Sequence, residues 1–413
     1  MGQVTLRVGF IGSGFNTRFH LMAWRGVRQA NVTGIWSPNF RRAADAARFA
    51  ADLDVGRARA FKSITEMIES GSVDAIWLCG PNHARIENVE EIVSVLQRGR
   101  GTLKGLACEK PLARTVAEAK QVKKLVDSVG LPTGYLENQL FAPHVEAGKA
   151  LLWARGAATT GRPYLARAAE EHSGPHMPWF WQGRLQGGGV LNDMMCHSVL
   201  VVRHLLTHPD EPLSAVRPTR VTGHIASLKW SRPEYVKELK KTMGPEVDYA
   251  KAPAEDFAAV NVEFEVPGGG MAIGEATTSW SFVGAGLRLS AECLGPEYSM
   301  RWNSLDSGLQ LFFSRRVKGR AGEDLVEKQN AEQGVMPVVP EEYLAYGYTG
   351  EDRHFVRVFL GKEKPRLTFE HGLEVVQLLM TAYQSAEQGK TVSFPPKGLD
   401  KFVPAVARGV WKG

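Results

Sequence analysis

The sequence predicts an α/β domain built on a parallel sheet, followed by an α+β domain with a mainly antiparallel sheet. Three observations carry this. The first 136 residues alternate short apolar runs with amphipathic stretches, the pattern of strands covered by helices. Beyond about residue 138, strand-like segments follow one another without intervening helices. A chain of 413 residues also exceeds what one hydrophobic core usually serves. The expected division is 1–137 and 138–413.

In the N-terminal part the apolar runs are Leu6–Ile11, Val32–Trp36, Val73–Cys79 and Leu103–Cys108. Two of the helices between them open with capping boxes, Ser63 with Glu66 and Thr115 with Glu118. In the C-terminal part a helical stretch at Pro143–Arg155 leads into a strand at Tyr164–Glu170. Further strands are expected at Arg220–Leu228, Ala258–Val266, Met271–Ser279 and Gly286–Leu294, with Gly and Pro turns between them. The charged, Pro-containing segment Trp230–Glu255 reads as a surface excursion. Helix returns at Asp352–Leu360 and Glu370–Gln388.

Composition excludes several classes. With 44% hydrophobic and 23% charged residues the chain is neither disordered nor of low complexity. The formal charge of +6 is not gathered into a basic tail or an Arg-rich stripe, so no nucleic-acid partner is expected. Val190–Leu206 is the most apolar segment, but Asp193, His197, Arg203 and His204 interrupt it, so no membrane span is expected. Cys79, Cys108, Cys196 and Cys293 are far apart, without metal-type spacing. They read as reduced thiols, and no metal is expected. The start, MGQVTLRVGFIG, runs straight into a strand pattern without a cleavable leader, so a cytoplasmic location is expected.

The first motif is Gly12-Ser13-Gly14-Phe15-Asn16-Thr17, after the first strand and before a helix. Gly12 allows the tight turn, and Gly14 lets backbone approach a pyrophosphate at the helix N-terminus. This is the dinucleotide-binding signature of a Rossmann domain, with Thr17 where a third Gly or Ala is usual. The end of the second strand normally carries an acidic residue for the adenosine ribose of NAD. Here it reads Trp36-Ser37-Pro38-Asn39-Phe40-Arg41-Arg42, with no carboxylate. Ser37, Asn39 and Arg42 suit a 2′-phosphate, which favours NADP over NAD; a solvated helix start with NAD still bound is the competing reading.

The second motif is Cys108-Glu109-Lys110-Pro111 at the end of the fifth strand. Ligands of open α/β sheets lie beyond the carboxyl ends of strands, so Lys110 should point into the cofactor crevice. There an ammonium can exchange protons with, or polarise, a reacting hydroxyl; a lysine on the surface after a strand is the competing reading. The third motif is Gly187-Gly188-Gly189 followed by Val190-Leu191-Asn192-Asp193 and His197. Asp193 and His197 are four residues apart and share a helical face. A carboxylate beside an imidazole orients it as a general base. A structural ion pair, or metal ligation with His204, competes with that reading.

These motifs, in this order, resemble the glucose–fructose oxidoreductase, inositol dehydrogenase and MocA (Gfo/Idh/MocA) family. Pro81-Asn82 and the ending Ala382-Tyr383-Gln384-Ser385-Ala386 with Gly389-Lys390 also fit, so the resemblance spans nearly the whole chain. It implies hydride transfer between a nicotinamide and a sugar or polyol hydroxyl carbon. It also implies catalytic roles for Lys110, Asp193 and His197, and a C-terminal domain whose large open sheet mediates homodimers or homotetramers. It adds Phe15, Asn16, Pro81, Asn82, Glu109 and Lys110 to the cofactor set of Gly12, Gly14, Ser37, Asn39 and Arg42. Arg85 stands where many members have His, and Thr17 replaces Gly.

The segment Glu170–Arg184 precedes the catalytic helix and is expected to form a substrate wall. Trp179 and Trp181 offer flat faces for a sugar ring, and His172, His176 and Arg184 offer polar handles; ordinary core aromatics and surface histidines are the competing reading. Asn192 and Lys110 complete the expected substrate contacts with Asp193 and His197. Two rival readings remain: an oxidoreductive glycosidase that oxidises a sugar transiently and eliminates the aglycone, and a non-catalytic sugar sensor on the same fold.

Overall fold

The computed structural model describes residues 5–306, 310–313, 327–329 and 333–413. The chain divides into two compact units: Met1–Ala142 with Tyr346–Val376, and Pro143–Ala345 with Gln377–Gly413. In the first unit the strands are β1 (Leu6–Ile11), β2 (Ala30–Trp36), β3 (Arg59–Phe61), β4 (Ala75–Leu78), β5 (Gly105–Glu109) and β6 (Thr133–Leu136). The helices between them are α1 (Phe15–Ala23), α2 (Phe40–Asp52), α3 (Ile64–Glu69), α4 (Arg85–Gln97) and α5 (Val116–Asp127). All strand pairs are parallel, in the order β3-β2-β1-β4-β5-β6, so this is a Rossmann sheet. Ser63 and Thr115 cap α3 and α5, accepting from the Glu66 and Glu118 backbone N–H at 2.9 and 3.3 Å.

The second unit begins with α6 (Pro143–Leu151), the short α7 (Ala158–Thr160) and β7 (Leu165–Glu171), then the short α8 (Gly183–Gln186) and the long α9 (Val190–Leu206). β8 (Arg217–Ala226), α10 (Pro233–Met243), β9 (Phe257–Val266), β10 (Gly270–Ser279), β11 (Arg288–Gly295) and β12 (Tyr298–Asn303) follow. β13 (Gln310–Phe313) and β14 (Gly334–Pro337) form a separate pair, followed by the short α11 (Glu342–Ala345). The main sheet runs β12-β11-β7-β10-β9-β8-β15, where β15 is Val392–Ser393. It is mixed but mostly antiparallel: only β7 and β10 pair in parallel. One face is apolar. Val260, Val262 and Phe264 of β9 point inward, each contributing roughly 2 kcal/mol by burial. The other face carries Arg167, ion-paired to Glu275 at 2.5 Å and Glu292 at 3.5 Å, beside an open groove of about 690 Å³.

The division differs from a single cut at 137/138, because α12 (Tyr348–Phe359) joins the first unit. The reason is packing. A Cβ on Gly105 of β5 would meet the Phe359 ring at 2.1 Å, and one on Gly134 of β6 would meet Phe355 at 2.5 Å. These strand glycines are flat ground on which a distant helix lies. α13 (Phe369–Gln388) follows, and the division between units falls within it. The segment Trp230–Glu255 is a surface excursion only in part: half of its residues are exposed, including Ser231–Glu234, and the rest turn inward. Trp230, Leu239, Tyr249 and Glu255 are buried, and Asp256 accepts from the backbone N–H of Leu228, Lys229 and Trp230 at 2.7–2.8 Å. Among the described residues, no helix is long and apolar enough to cross a membrane.

Candidate active site

In the first unit the turn after β1 is tight because Gly12 sits at φ +115°, where a Cβ would come within 3.0 Å of the Cys79 carbonyl. Gly14 is the N-cap of α1, and a Cβ there would meet nothing within 4 Å. No side chain caps α1, and its first turn holds no carboxylate. An uncapped helix start beside open space suits a pyrophosphate. Phe15 is exposed at this turn, while Asn16 presents a buried carboxamide oxygen without a hydrogen-bond partner. Thr17 is fully buried, so the packing accommodates the β-branched residue.

At the end of β2, Ser37 accepts a hydrogen bond from the Ser13 hydroxyl at 2.9 Å, joining the two strand ends. The Asn39 carboxamide oxygen accepts from the Arg42 backbone N–H at 3.2 Å and caps α2. That gives Asn39 a structural job the sequence did not reveal, and leaves Arg41 and Arg42 exposed at the helix start. Beyond β4, Pro81 leads to Asn82, which is buried. Arg85, read in the sequence only as a departure from a pattern, is 1% exposed and clamps two strand ends. It donates to the Glu109 carbonyl, to Cys108 Sγ at 2.9 Å and to the Gly80 carbonyl at 3.3 Å.

Glu109 is buried, with Oε1 3.0 Å from His20 Nε2 and Oε2 accepting the Lys110 backbone N–H at 3.0 Å. Burial pushes the carboxyl up, but His20, Lys110 and Arg85 outweigh it and hold the pKa below its ordinary value. Lys110 leaves the end of β5 directly after this anchor.

In the second unit, α9 carries Asp193 and His197, which are 5% and 3% exposed. The structure places a further carboxylate at the imidazole: Glu170 of β7, with Oε2 3.6 Å from His197 Nε2. The sequence put Glu170 at the edge of a wall, because strand and helix meet only through the fold. The start of α9 is closed by its own protein. Glu255 Oε1 accepts from the N–H of Gly189 and Leu191 at 2.9 and 3.1 Å, and from Tyr383 Oη at 2.5 Å. Tyr383 Oη accepts from the N–H of Gly189 and Asn192, and the Glu255 carbonyl takes that of Val190. The orphan donors of the helix are thereby satisfied. Burial raises the Glu255 pKa to about 7, against its hydrogen bonds, and the Tyr383 hydroxyl is pushed well above 10 by burial and by Glu255.

The wall residues separate. Trp181 is 2% exposed, edge-on to Trp230 and packed with Tyr249 and Trp280 at centroid distances of 5.0–5.7 Å. It is a core residue and offers no face to a sugar. Trp179 is half-buried and stacked on Phe180, and His176 and Arg184 are exposed. His172 is buried, its Nδ1 accepting from the Gly174 N–H at 2.9 Å. Asn192 is fully buried with Nδ2 on the Gln186 carbonyl at 2.7 Å, so it braces the turn before α9.

A parallel sheet whose first turn leaves an uncapped helix beside open space defines a dinucleotide-binding protein, here joined to a second, mostly antiparallel unit. Residues 6–135 match the oxidoreductase family model with an NAD-binding Rossmann fold, and residues 156–297 match the C-terminal domain model of the same family. The chain therefore belongs to the Gfo/Idh/MocA family of oxidoreductases. It is 24% identical over 400 residues to D-apiose dehydrogenase of Paraburkholderia graminis, covering 96% of this chain and 91% of that one. Its fold is similar to that of GenD2 from gentamicin A biosynthesis, solved with NAD (TM-score 0.74, 22% identity, 96% and 98% of the two chains). It is also similar to levoglucosan dehydrogenase solved with NADH and L-sorbose (TM-score 0.67, 20% identity, 95% and 99%).

Proposed function

We propose that the protein is an NAD(P)-dependent dehydrogenase acting on a hydroxyl-bearing carbon of a sugar, polyol or sugar derivative. The observation that carries this is His197, a buried imidazole with a carboxylate 3.6 Å from Nε2 and Asp193 one turn earlier, in a chain that also carries a dinucleotide cradle. Gly12, Gly14, Asn16 and the N-terminus of α1 fit the dinucleotide's pyrophosphate. The nicotinamide, when bound, takes or gives the hydride. His197 accepts the hydroxyl proton, and the carboxylates of Glu170 and Asp193 stabilise the imidazolium that results. The Lys110 ammonium lowers the energy of the developing alkoxide. The sugar named for D-apiose dehydrogenase and the L-sorbose bound by levoglucosan dehydrogenase support a carbohydrate substrate.

Lys110→Ala and His197→Ala should each lower turnover roughly a hundredfold or more while leaving cofactor affinity nearly intact. The assay is a panel of sugars, polyols, sugar acids and aryl glycosides, followed by absorbance of reduced cofactor and by aglycone release. Stoichiometric reduced cofactor with the glycosidic bond intact supports dehydrogenation. Many aglycones released per cofactor overturn it. Ser37 and exposed Arg42 support NADP as the preferred cofactor, and Ser37→Asp should shift preference toward NAD. Wild-type protein that binds NAD at least as tightly as NADP rules out a phosphate role for Arg42. The open sheet face of the second unit is the surface we propose for homodimers or homotetramers, and the cytoplasm is the proposed location.

A further inference from the structure

We propose that His20 is a positioning residue for Lys110: its buried imidazole, clamped between Asp352 and Glu109, fixes the peptide from which Lys110 departs. This rests on the role given to Lys110 above. His20 lies on α1, two turns after the dinucleotide cradle opens, and is fully buried. Nδ1 stands 2.9 and 3.1 Å from the two Asp352 oxygens, and Nε2 stands 3.0 Å from Glu109 Oε1. A neutral imidazole has one N–H, so donation to carboxylates at both nitrogens requires the doubly protonated ring. Burial opposes that charge, but Asp352 and Glu109 outweigh it and hold the pKa well above 6.5.

The groups facing the ring complete the balance. Asp352 also accepts from Trp77 Nε1 at 2.9 Å, and Tyr348 packs edge-on at 5.1 Å. Glu351, fully buried with both carboxyl oxygens lacking a hydrogen-bond partner, is pushed well above 4.5 by burial and by Glu109. Burial likewise pushes the Cys79 thiol well above its ordinary range. His20 and Arg85 face the carboxyl groups of Glu109 and Asp352, the latter pushed above its ordinary value by burial against His20 and Trp77, with Glu137 acting on Glu351. Buried ion clusters are a weak source of stability compared with apolar packing of the same volume. What this one provides is direction. Glu109 is held at Oε1 by His20, at its carbonyl by Arg85, and its Oε2 receives the Lys110 N–H. The same ring ties the lysine anchor to the helix whose N-terminus faces the cofactor.

The test uses the full chain with His20→Gln and Asp352→Asn, beside a core control, Val8→Ala. Amide hydrogen exchange of peptides spanning residues 106–114 should quicken in both variants and not in the control. Turnover should fall roughly tenfold to a hundredfold, as expected when a catalytic group is misplaced by about 1 Å, with KM and cofactor Kd changed less than about twofold. In His20→Gln one positive charge is lost beside Glu109, so the limb of the pH profile that depends on Lys110 should move to higher pH. Unchanged exchange and turnover in a folded variant overturn the proposal. So does an equal loss in KM and cofactor Kd, or failure of both variants to fold, since either assigns the cluster to stability alone. Wild-type turnover in Lys110→Ala would instead remove the lysine's catalytic role, while the exchange data still decide whether His20 fixes the peptide.

Discussion

Two helices in this protein begin after glycine-rich turns, and they use the glycines in opposite ways. At α1 the position of a Gly14 Cβ is open space, and no side chain caps the helix. At α9 a Cβ on Gly188 would lie 2.0 Å from Tyr383 Oη, and one on Gly189 2.4 Å from the Glu255 carbonyl. The first turn leaves room for something the chain does not supply. The second is filled by the chain itself, which plugs the helix start with a carboxylate and a phenol. One sequence signature thus serves two purposes, and only the neighbours tell them apart.

The largest effect expected from this contrast is at the plugged turn. Gly188→Ala should destabilise the protein by about 3 kcal/mol, because the added methyl group overlaps a packed hydroxyl. Tyr383→Phe in the same chain should recover part of the loss. An unchanged melting temperature for Gly188→Ala would show that Tyr383 does not hold the turn.

Next comes the carboxyl of the plug. Its folded pKa of about 7 lies above the ordinary 4.5, so the folded state binds the extra proton between these values. The sign follows: stability is greatest below about 4.5 and falls as pH rises toward 7, by about 3 kcal/mol from this group. Glu255→Gln mimics the protonated acid, and the difference in stability between wild type and variant should track that window. Parallel pH profiles of unfolding would place the titration elsewhere.

The smallest change in stability belongs to the open turn. Gly14→Ala should alter stability by less than about 1 kcal/mol, since the residue is a helix N-cap at an ordinary φ of −81°. Its cofactor Kd should nevertheless rise roughly tenfold, about 1.4 kcal/mol. Equal binding by wild type and variant would mean that no ligand approaches Gly14.

Local pattern made much of this legible. The alternation of apolar runs with helices marked the parallel sheet, and four of its six strands stood out. β3 (RAF) and β6 (TGYL) did not, because a polar residue or glycine breaks so short an apolar run, whereas the equally short β4 (AIWL) is apolar throughout. The later strands were readable because β9, β10 and β11 bury every second residue. What escaped depends on contacts far apart in sequence. Glu255 ends a charged segment that looked solvated, yet its carboxyl caps a helix 66 residues away from it in sequence at Gly189. His20 read as an ordinary residue of the first helix, since its partners lie 89 and 332 residues away. Trp181 looked like a sugar platform because aromatic residues in a loop carry no mark of burial; Trp230 and Trp280 supply it.

The return of α12 to the first unit sets an order of events during synthesis. By residue 142 a ribosome has made all six strands of the parallel sheet and every helix between them. The surface over Gly105 and Gly134 still lacks Phe355 and Phe359, and His20 still lacks Asp352. The nucleotide-binding half therefore waits, uncovered on that side, while more than two hundred residues of the other unit are made. Its strands are made before the other unit, and its covering helix is made only after most of that unit.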